Sequence, residues 1–305
     1  MKIGLMIGGD SGGLDATVDK FVQAERDGFA SAWTPHIFGA DALTVLMLAG
    51  LRTKTIELGT AVVPTYPRHP HALAQQAATV NAAIGGRLAL GLGRSHQLVI
   101  EGMFGIPYDR PVTHMREYLT IVRELIHNGS CSFSGKMYKV STTLKVPGGK
   151  PFPLMIGALM PKMLELCGAL CDGTLTWMSG PKHVGQNVVP VLAKAAKAAN
   201  REMPRVICSL PVCVTENKDA AKEVGQKVFG HYNMLPVYRA CLDVEGAEGP
   251  TDIALIGSEK EVAEGLARLR DAGATDFYAA MFPDRSGEQS LARTYQFLAS
   301  LRGRL

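Results

Sequence analysis

The sequence predicts an α/β protein that folds as a closed (β/α)8 TIM barrel, with residues 1–305 forming a single domain. Short apolar runs alternate with longer helical patterns along the whole chain, and eight runs of the strand type can be counted. These runs are apolar throughout, which is typical of parallel strands covered on both faces. Barrels of this kind routinely exceed about 200 residues as one domain.

The predicted strands alternate with predicted helices along the chain. In chain order they are KIGLMIGG, SAWTP, IELGTAVVP, LALGLG, PLMIGAL, TLTWMS, RVICSLPVCVTEN and DFYAAMF. A helical pattern follows each, the last being SLARTYQFLASLRG. We expect the first helix to end at Gly28, Asp41 to cap the second, and Pro70 and Pro161 to stand in the first turns of two others. Residues 130–140, SCSFSGKMYKV, predict a small β-hairpin inserted before the fifth strand.

An open, doubly wound sheet is the rival architecture. It usually carries a GxGxxG turn after the first strand. Here GGDSGG follows the first strand and GLGRSH ends the fourth, and neither has that spacing. The closed barrel is therefore favoured, and its functional residues are expected at the carboxyl ends of the strands.

Composition excludes several classes of function. The net charge is +4, from 32 basic and 28 acidic residues, and no stripe of Lys and Arg predicts nucleic-acid binding. Apolar stretches fall short of the ~18 residues of a membrane span. The six cysteines form no CxxC pair, so we expect reduced, buried thiols and a cytoplasmic protein.

The strand ends also lack the residues of several common chemistries. Carboxylates are almost absent there, which argues against a metal site and against the acid pair of a glycosidase. His69 and His71 lack further metal ligands, and no GxSxG motif occurs. We expect Arg68 and His69 to cap and solvate a loop.

Two histidines at the rim are the candidate catalytic residues. His36 follows the second strand and His96 follows the fourth. Histidine titrates near neutrality and can exchange protons without a large pKa shift. For His96, a hydrogen bond to a loop is an equal alternative. Packing or surface roles are expected for the histidines at positions 114, 127, 183 and 231.

Two segments are candidate anion sites. Pro161 would begin a helix directly after the fifth strand, where free N–H groups and Lys162 suit a phosphate. Arg94 and Ser95 form a second set of donors. Trp33 and Trp177 are expected to pack at the rim or to line an aromatic ligand pocket.

The motifs LGTAVVPTYPRHP, GRLALGLGRSH, YDRPVTHMREYL and LMIGALMPKMLELCGALCDGTLTWM carry a family resemblance over essentially the whole chain. The chain resembles the bacterial luciferase-like superfamily of flavin- and deazaflavin-dependent oxidoreductases, and within it the branch that uses coenzyme F420. That resemblance implies a helical insertion before the eighth strand, here around residues 225–242. Tyr232, Met234 and Tyr238 of this insertion either cap the pocket or pack as an amphipathic helix.

The resemblance also implies the cofactor site. A non-prolyl cis peptide, by position Ala61–Val62, would support the central ring of the cofactor, and His36 would lie near its reactive carbon. The cofactor-binding residues implied are Thr60, Ala61, Val62, Arg94, Ser95, Gly157, Ala158, Leu159, Met160, Lys162, Met163 and Trp177. Relatives that oxidise sugar phosphates carry acidic residues where this chain has Pro35 and His96, which argues against that substrate.

The resulting hypothesis is a coenzyme F420-dependent oxidoreductase that transfers a hydride between the cofactor and an unidentified small organic substrate. An FMN-dependent luciferase-like monooxygenase is the alternative. A non-catalytic cofactor-binding protein is the second alternative. The resemblance further implies a homodimer.

Overall fold

The computed structural model describes residues 1–8 and 12–301. Residues 9–11 of the GGDSGG turn, and the last two residues of the predicted terminal helix, lie outside the described residues. The strands are β1 (Lys2–Met6), β2 (Ser31–Thr34), β3 (Glu57–Thr60), β4 (Val63–Pro64), β5 (Leu88–Gly93), β6 (Ser130–Ser134), β7 (Lys139–Thr143), β8 (Leu154–Gly157), β9 (Gly173–Trp177), β10 (Arg205–Ser209), β11 (Pro211–Val214), β12 (Leu255–Gly257) and β13 (Asp276–Met281).

The helices alternate with these strands. They are α1 (Gly13–Arg26), α2 (Ala42–Arg52), α3 (Pro70–Ala83), α4 (Gln97–Gly102), α5 (Pro111–Asn128), α6 (Pro161–Leu170), α7 (Pro181–His183), α8 (Val189–Ala198), α9 (Lys218–Phe229), α10 (Pro236–Glu245), α11 (Pro250–Ile253), α12 (Glu259–Asp271) and α13 (Glu288–Ser300). A π-helical turn (Val184–Val188) joins α7 to α8, and a 3-10 turn (Gly230–Met234) follows α9. Within the described residues, no helix is both long and apolar enough to cross a bilayer.

Eight parallel strands close into a barrel, which confirms the predicted fold. Their order is β1, β2, β3, β5, β8, β9, β10 and β13, and β13 pairs back onto β1 with Lys2 opposite Asp276. The predicted helix starts are also correct, because Asp41 caps α2 by accepting from the Thr44 N–H and Pro70 begins α3. Gly28 follows α1 at a φ of +81°, a left-handed conformation that glycine adopts readily.

The barrel interior is filled by one cluster of side chains from six strands. Its buried members are Trp33, Ala89, Met155, Leu175, Ile207 and Tyr278. Trp33 was expected at the rim, and that prediction is wrong: its ring is fully buried and fills the space above Gly59, where a Cβ would lie 2.1 Å from the indole. The interior of this barrel is therefore filled by packed side chains.

An ion cluster closes the amino end of the barrel. The Arg205 guanidinium at the start of β10 donates to both carboxylate oxygens of Glu57 on β3, at 2.8 and 2.9 Å. It also donates to Asp276 on β13, at 2.6 and 3.2 Å. Because β3 and β10 lie on opposite sides of the eight-strand ring, Arg205 spans the barrel at this end.

The predicted hairpin before the fifth barrel strand is present as β6 and β7, although its second strand extends to Thr143. Its turn is fixed to α5 by the buried Glu117 carboxylate. This carboxylate accepts from the backbone N–H groups of Lys136, Met137 and Tyr138 at 2.7 to 3.0 Å.

The region after the seventh barrel strand differs from the prediction in detail. The predicted strand over RVICSLPVCVTEN divides into β10 and β11, and β11 pairs with the three-residue strand β12, which the sequence pattern did not predict. The helical insertion before the eighth barrel strand is present. Its expected single run is interrupted after Phe229 and resumes at Pro236, which supplies the first turn of α10.

Candidate active site

The carboxyl mouth of the barrel is lined mostly by small residues. Side chains alternate along a strand, so the positions two residues beyond the interior cluster also face inward. On five of the strands these positions are Gly91, Gly157, Trp177, Ser209 and Ala280. Only the tryptophan is large. Gly91, Ser209 and Ala280 are buried, whereas Gly157 is exposed.

The end of β3 forms the floor of the mouth. The Ala61–Val62 peptide bond is cis, as predicted, and both side chains are half-buried and pack against the interior cluster that contains Trp33. Pairing with β5 resumes immediately afterwards, with Val63 opposite Leu92 and Pro64 opposite Gly93.

Two glycines bring neighbouring strands close to Val62. A Cβ on Gly93 would lie 2.4 Å from Val62 Cγ2, so no larger residue fits without displacement of that side chain. Gly157 is exposed, and a Cβ there would stand 3.8 Å from Val62 Cγ1. The surface beside Val62 is therefore open at Gly157, whereas Gly93 is buried against the Val62 side chain.

His36 lies beside this floor, at the end of β2. Its Nδ1 accepts from the Ala42 N–H at 3.2 Å, and its Nε2 lies 3.3 Å from Nη1 of Arg68. Burial, followed by the charge of Arg68, lowers the pKa of His36 below its ordinary value, and the Asp41 carboxylate opposes this effect. His36 is therefore a neutral imidazole at physiological pH.

Arg68 has a structural role that the sequence did not predict. Its Nη2 donates to Asp41 Oδ2 at 2.6 Å, and the other Asp41 oxygen accepts from Thr44 and Gln76. Three elements, α2, α3 and the segment after β4, are joined through this carboxylate. His69, by contrast, acts as expected and caps α3 through the His71 N–H.

A cleft of about 350 Å³ opens next to His36 and Arg68. Its other lining residues are Ile37, Pro64, Pro67 and Phe104. Ile37 and Phe104 are 61% and 42% exposed, so the cleft has apolar walls that reach solvent. Over residues 1–8 and 12–301, no three His, Cys, Asp or Glu side chains gather where they could hold a metal.

His96 follows β5, two strands from the β2 strand that precedes His36, and is the N-cap residue of α4. It is half-buried, and its ring lies 5.8 Å from that of Tyr238 in the insertion. Burial and the charge of Arg94 lower the pKa of His96. Ser95 has a φ of +60°, and its carbonyl accepts from the Tyr108 hydroxyl at 3.2 Å.

The residues after β8 divide into two groups. Ala158, Leu159 and Met163 are buried, and the first two have carbonyls that bond Thr174 and His183. Met160 is the N-cap of α6, and Lys162 is exposed in its first turn. Of this predicted phosphate segment, the backbone and Lys162 are available to a ligand, whereas the side chains of Leu159 and Met163 pack into the core.

The helical insertion lies over the mouth, which favours the first of its two predicted roles. Tyr232 packs edge-on against Trp177 and Tyr238, with ring centroids 5.6 and 5.1 Å apart. Tyr238 in turn contacts His96. Met234 is 79% exposed and does not contribute to this aromatic row.

The insertion is attached to the helix that follows β9. Glu245 of α10 accepts from the backbone N–H groups of Lys182 and His183, at 3.4 and 2.7 Å. A Cβ on Gly180 would lie 2.6 Å from the Glu245 carboxylate carbon, which explains the glycine before α7. His183 itself is buried and bonds the Leu159 carbonyl, so it has the packing role expected from the sequence.

Comparison with known proteins identifies relatives of the chain. It is 33% identical over 200 residues to a 5,10-methylenetetrahydromethanopterin reductase of Methanolobus tindarius, a match that covers 65% of this chain and 61% of the reductase. It is 29% identical over 302 residues to a Mycobacterium tuberculosis protein provisionally named as a coenzyme F420-dependent oxidoreductase, covering 93% of this chain and 85% of that protein.

Solved structures show the same architecture. An F420-dependent secondary alcohol dehydrogenase in complex with an F420-acetone adduct superposes with a TM-score of 0.81 and covers 97% of this chain and 98% of its own. At 18% identity this similarity establishes a shared fold. The sequence profile of the luciferase-like monooxygenases matches residues 1–276. This chain belongs to the luciferase-like monooxygenase family.

Proposed function

We propose that this protein is an oxidoreductase that binds the deazaflavin coenzyme F420 and transfers a hydride between that cofactor and a small organic substrate. The observation that carries the proposal is the half-buried Ala61–Val62 segment at the end of β3, which packs on the interior cluster next to β2, the strand that precedes His36. The names of the relatives support F420 over other redox cofactors.

The residues present fit a flat ring system. The neighbouring position Gly157 is exposed and carries no side chain that would fill the space beside Val62. Any larger residue at Gly157 would project next to Val62, into the volume that a ring needs. Below the floor the interior is tightly packed, so a ring would be supported from beneath.

The chain offers cations for the phosphate-bearing tail. Arg94 is half-buried and Lys162 is exposed, and neither forms an ion pair with any residue that the structure describes. We infer that these two side chains bind the tail together with Ser95 and backbone N–H groups near Met160. Ala158, Leu159 and Met163 would shape this segment from the core, and Trp177 would border the ring.

We assign roles to the cofactor and to the surrounding side chains from these positions. The bound cofactor supplies the carbon that accepts or donates the hydride. The cofactor is supported by the end of β3, at Thr60, Ala61 and Val62. His36 exchanges the accompanying proton with the substrate or forms a hydrogen bond to it. His96, which follows β5 two strands away, is the second candidate for that exchange.

Titration of the purified protein with F420 and FMN side by side tests this proposal. We expect quenching of F420 fluorescence at micromolar concentrations and much weaker binding of FMN. Gly157→Leu should abolish F420 binding because its side chain occupies the ring space. Ala198→Leu, on the exposed end of α8, is the matched control and should bind normally. Tight FMN binding without F420 binding would overturn the proposal.

The family profile favours one second candidate, an FMN-dependent monooxygenase. Consumption of oxygen in the presence of reduced flavin would identify it. The second alternative, a non-catalytic cofactor-binding protein, makes a different prediction. In that case His36→Ala should leave any measured reaction rate unchanged. For the proposed enzyme, His36→Ala abolishes turnover and spares cofactor affinity.

We also infer a cytoplasmic homodimer. All six cysteines are buried free thiols, which suits a reducing compartment. An apolar surface on α1 and α2 is available for self-association, with Leu14, Met47, Leu48 and Leu51 between 36% and 61% exposed. Sedimentation velocity of the wild type and of Leu51→Glu measures this, since the charged variant should be monomeric.

A further inference from the structure

We propose that Tyr108 is a positioning residue for the phosphate-bearing tail of the cofactor, because its hydroxyl holds the loop that presents Arg94 and Ser95 to that tail. This inference rests on the proposed function, in which Arg94 and Ser95 bind the tail, and adds the side chain that orients them. Tyr108 lies 13 residues beyond Ser95, in the segment that joins α4 to α5.

The loop after β5 depends on support from outside it. Residues 94–96 lie between β5 and α4 and belong to neither element. Ser95 has a φ of +60°, a left-handed conformation that is unfavourable for a residue with a Cβ and persists only where its surroundings hold it. The Ser95 carbonyl accepts from the Tyr108 hydroxyl at 3.2 Å, and among the described residues this is the one hydrogen bond that Ser95 forms. The Tyr108 hydroxyl therefore holds the loop at its midpoint.

Tyr108 is itself fixed at both its backbone and its ring. Its N–H donates to Glu101 Oε1 at 3.0 Å, which ties it to α4, the helix that follows the loop. Its ring stacks on the ring of Tyr66, with the centroids 4.9 Å apart and an angle of 24° between the planes. Burial raises the pKa of Tyr108 above its ordinary value, so its hydroxyl is a protonated donor at physiological pH.

The stack of rings continues into the core of the protein. The ring centroids of Tyr66 and His114 are 3.9 Å apart, and the two planes differ by only 7°. His114 is buried, with its Nε2 2.8 Å from Thr65 Oγ1 and its Nδ1 3.3 Å from the Tyr138 hydroxyl. Burial lowers the pKa of His114 to about 4, so the ring is neutral and adds no charge to the stack. The stack thus connects Ser95 to the start of α5 and to the hairpin.

Thr65 joins this stack to the barrel. It is fully buried and directly follows β4, and its N–H donates to the Gly93 carbonyl at 2.9 Å. Gly93 is the last residue of β5, so the backbone of Thr65 holds the loop where it begins. The side chain of Thr65 meanwhile contacts His114 at the far end of the stack that supports Ser95. The two supports of the loop therefore refer to one buried residue at the end of β4.

Arg94 is the charged group that this loop presents. Burial raises the pKa of Tyr66 and of Tyr108, and the charge of Arg94 opposes the rise in both, which shows that the guanidinium lies near the stacked rings. Displacement of the loop would move Arg94 and the Ser95 hydroxyl together. In the proposed arrangement the deazaflavin ring rests on Ala61–Val62 instead, so the effect of Tyr108 should be confined to the tail.

Fluorescence titration separates the tail from the ring. F420 and the deazaflavin riboside that lacks the phosphate-bearing tail are titrated into the wild type and Tyr108→Phe, which keeps the stacked ring and removes the hydroxyl. We expect the variant to bind F420 about three- to tenfold more weakly, the loss of one hydrogen bond, and to bind the riboside normally. Equal weakening of both ligands, or weakening of neither, would overturn the proposal. Tyr295→Phe, which loses a hydroxyl bond to Asp27 at the end of α1, is the matched control and should bind both normally.

A double-mutant cycle tests whether Tyr108 acts through Arg94. Arg94→Gln should itself weaken F420 binding. Tyr108→Phe added to Arg94→Gln should cause less than about half of the loss in binding free energy that it causes in the wild type, because the group that it orients is gone. Fully additive losses would overturn the proposal.

Hydrogen exchange of the ligand-free protein provides a readout that needs no cofactor. Tyr108→Phe should speed amide exchange in residues 95–99 about three- to tenfold, whereas Tyr295→Phe should not change it. Unchanged exchange in Tyr108→Phe would overturn the positioning role even if F420 binds. Faster exchange in a protein whose wild type fails to bind F420 would instead leave Tyr108 as the support of the loop and overturn the proposed function.

Discussion

The Thr60 side chain bonds both backbone groups of Gly91 on the neighbouring barrel strand. Its hydroxyl oxygen accepts from the Gly91 N–H at 2.8 Å and donates to the Gly91 carbonyl at 2.8 Å. Thr60 is the last residue of β3, directly before the floor of the candidate active site. One side chain thus takes the place of two ladder hydrogen bonds where the regular pairing of β3 and β5 is interrupted.

Replacement of this hydroxyl should destabilise the barrel mouth. Thr60→Val keeps the shape of the side chain but leaves the buried N–H and carbonyl of Gly91 without partners. Since each unsatisfied buried group costs about 1–3 kcal/mol, we expect the free energy of unfolding to fall by about 2–4 kcal/mol in urea denaturation. Thr60→Ser retains the hydroxyl and should lose less than half as much; an equal loss in both variants would contradict this role.

The contact between Gly93 and Val62 permits a test by compensation. Gly93→Ala places a Cβ 2.4 Å from Val62 Cγ2 and must displace that side chain into the ring space. F420 affinity measured by fluorescence should fall by at least about tenfold, or roughly 1.4 kcal/mol. The double variant Gly93→Ala/Val62→Ala removes Cγ2 and should recover most of the affinity. No recovery would show that Val62 is not the group displaced.

The pH dependence of substrate binding should follow the lowered pKa of His36. In the neutral ring, Nδ1 accepts from the Ala42 N–H, and the ring adds no positive charge beside Arg68. Protonation at Nδ1 removes the acceptor and places a second positive charge next to Arg68. Because the pKa is lowered, KM should stay constant as pH falls through the ordinary range of histidine and rise only at lower pH. Arg68→Gln removes a positive charge that lowers the pKa of His36, so the rise in KM should begin at higher pH. The same pH profile in both proteins would contradict this effect of Arg68 on His36.

Glu25 should contribute to acid stability at the opposite end of the barrel. Its carboxylate accepts from the N–H groups of Lys54, Thr55 and Ile56, and despite the opposing effect of burial these bonds lower its pKa to about 2. A lowered carboxyl pKa stabilises the fold above the unfolded-state value of about 4.3. That contribution is lost as pH falls toward 2.

Urea denaturation of Glu25→Gln between pH 7 and pH 3 measures this effect. The variant should be less stable than the wild type by about 1–3 kcal/mol at pH 7, and the difference should narrow as the pH decreases. Glu264→Gln, an exposed position on α12, is the control and should follow the wild type at each pH. A difference that is independent of pH would contradict the assignment to Glu25 ionisation.

The barrel could be predicted from the sequence because the patterns that indicate its strands and helices are local and recur along the chain. Apolar runs, turn glycines and caps such as Asp41 depend on neighbouring residues, and they correctly placed the eight barrel strands and the hairpin. The cis peptide at Ala61–Val62 was predicted from the family motif rather than from any physical pattern in the chain. The three-residue strand β12 was missed because so short a run has no measurable period.

Contacts between distant segments were beyond the reach of the sequence. Arg68 and Asp41 are 27 residues apart, and Glu245 and His183 are 62 apart. Nothing in the local pattern distinguishes these charged residues from solvated ones. Only the closure of the barrel, which brings successive strand–helix loops together at one end, makes Arg68 a neighbour of His36.

The ion cluster of Arg205, Glu57 and Asp276 affects the order in which cofactor and substrate can bind at the opposite end of the barrel. Since it spans the amino end over a packed interior, we expect ligands to arrive and depart at the carboxyl mouth, where the insertion lies. In the proposed arrangement, a flat cofactor on the Ala61–Val62 floor would lie beneath a substrate held at His36. The enzyme should therefore follow a compulsory sequence of association, cofactor first and substrate second, and release them in reverse.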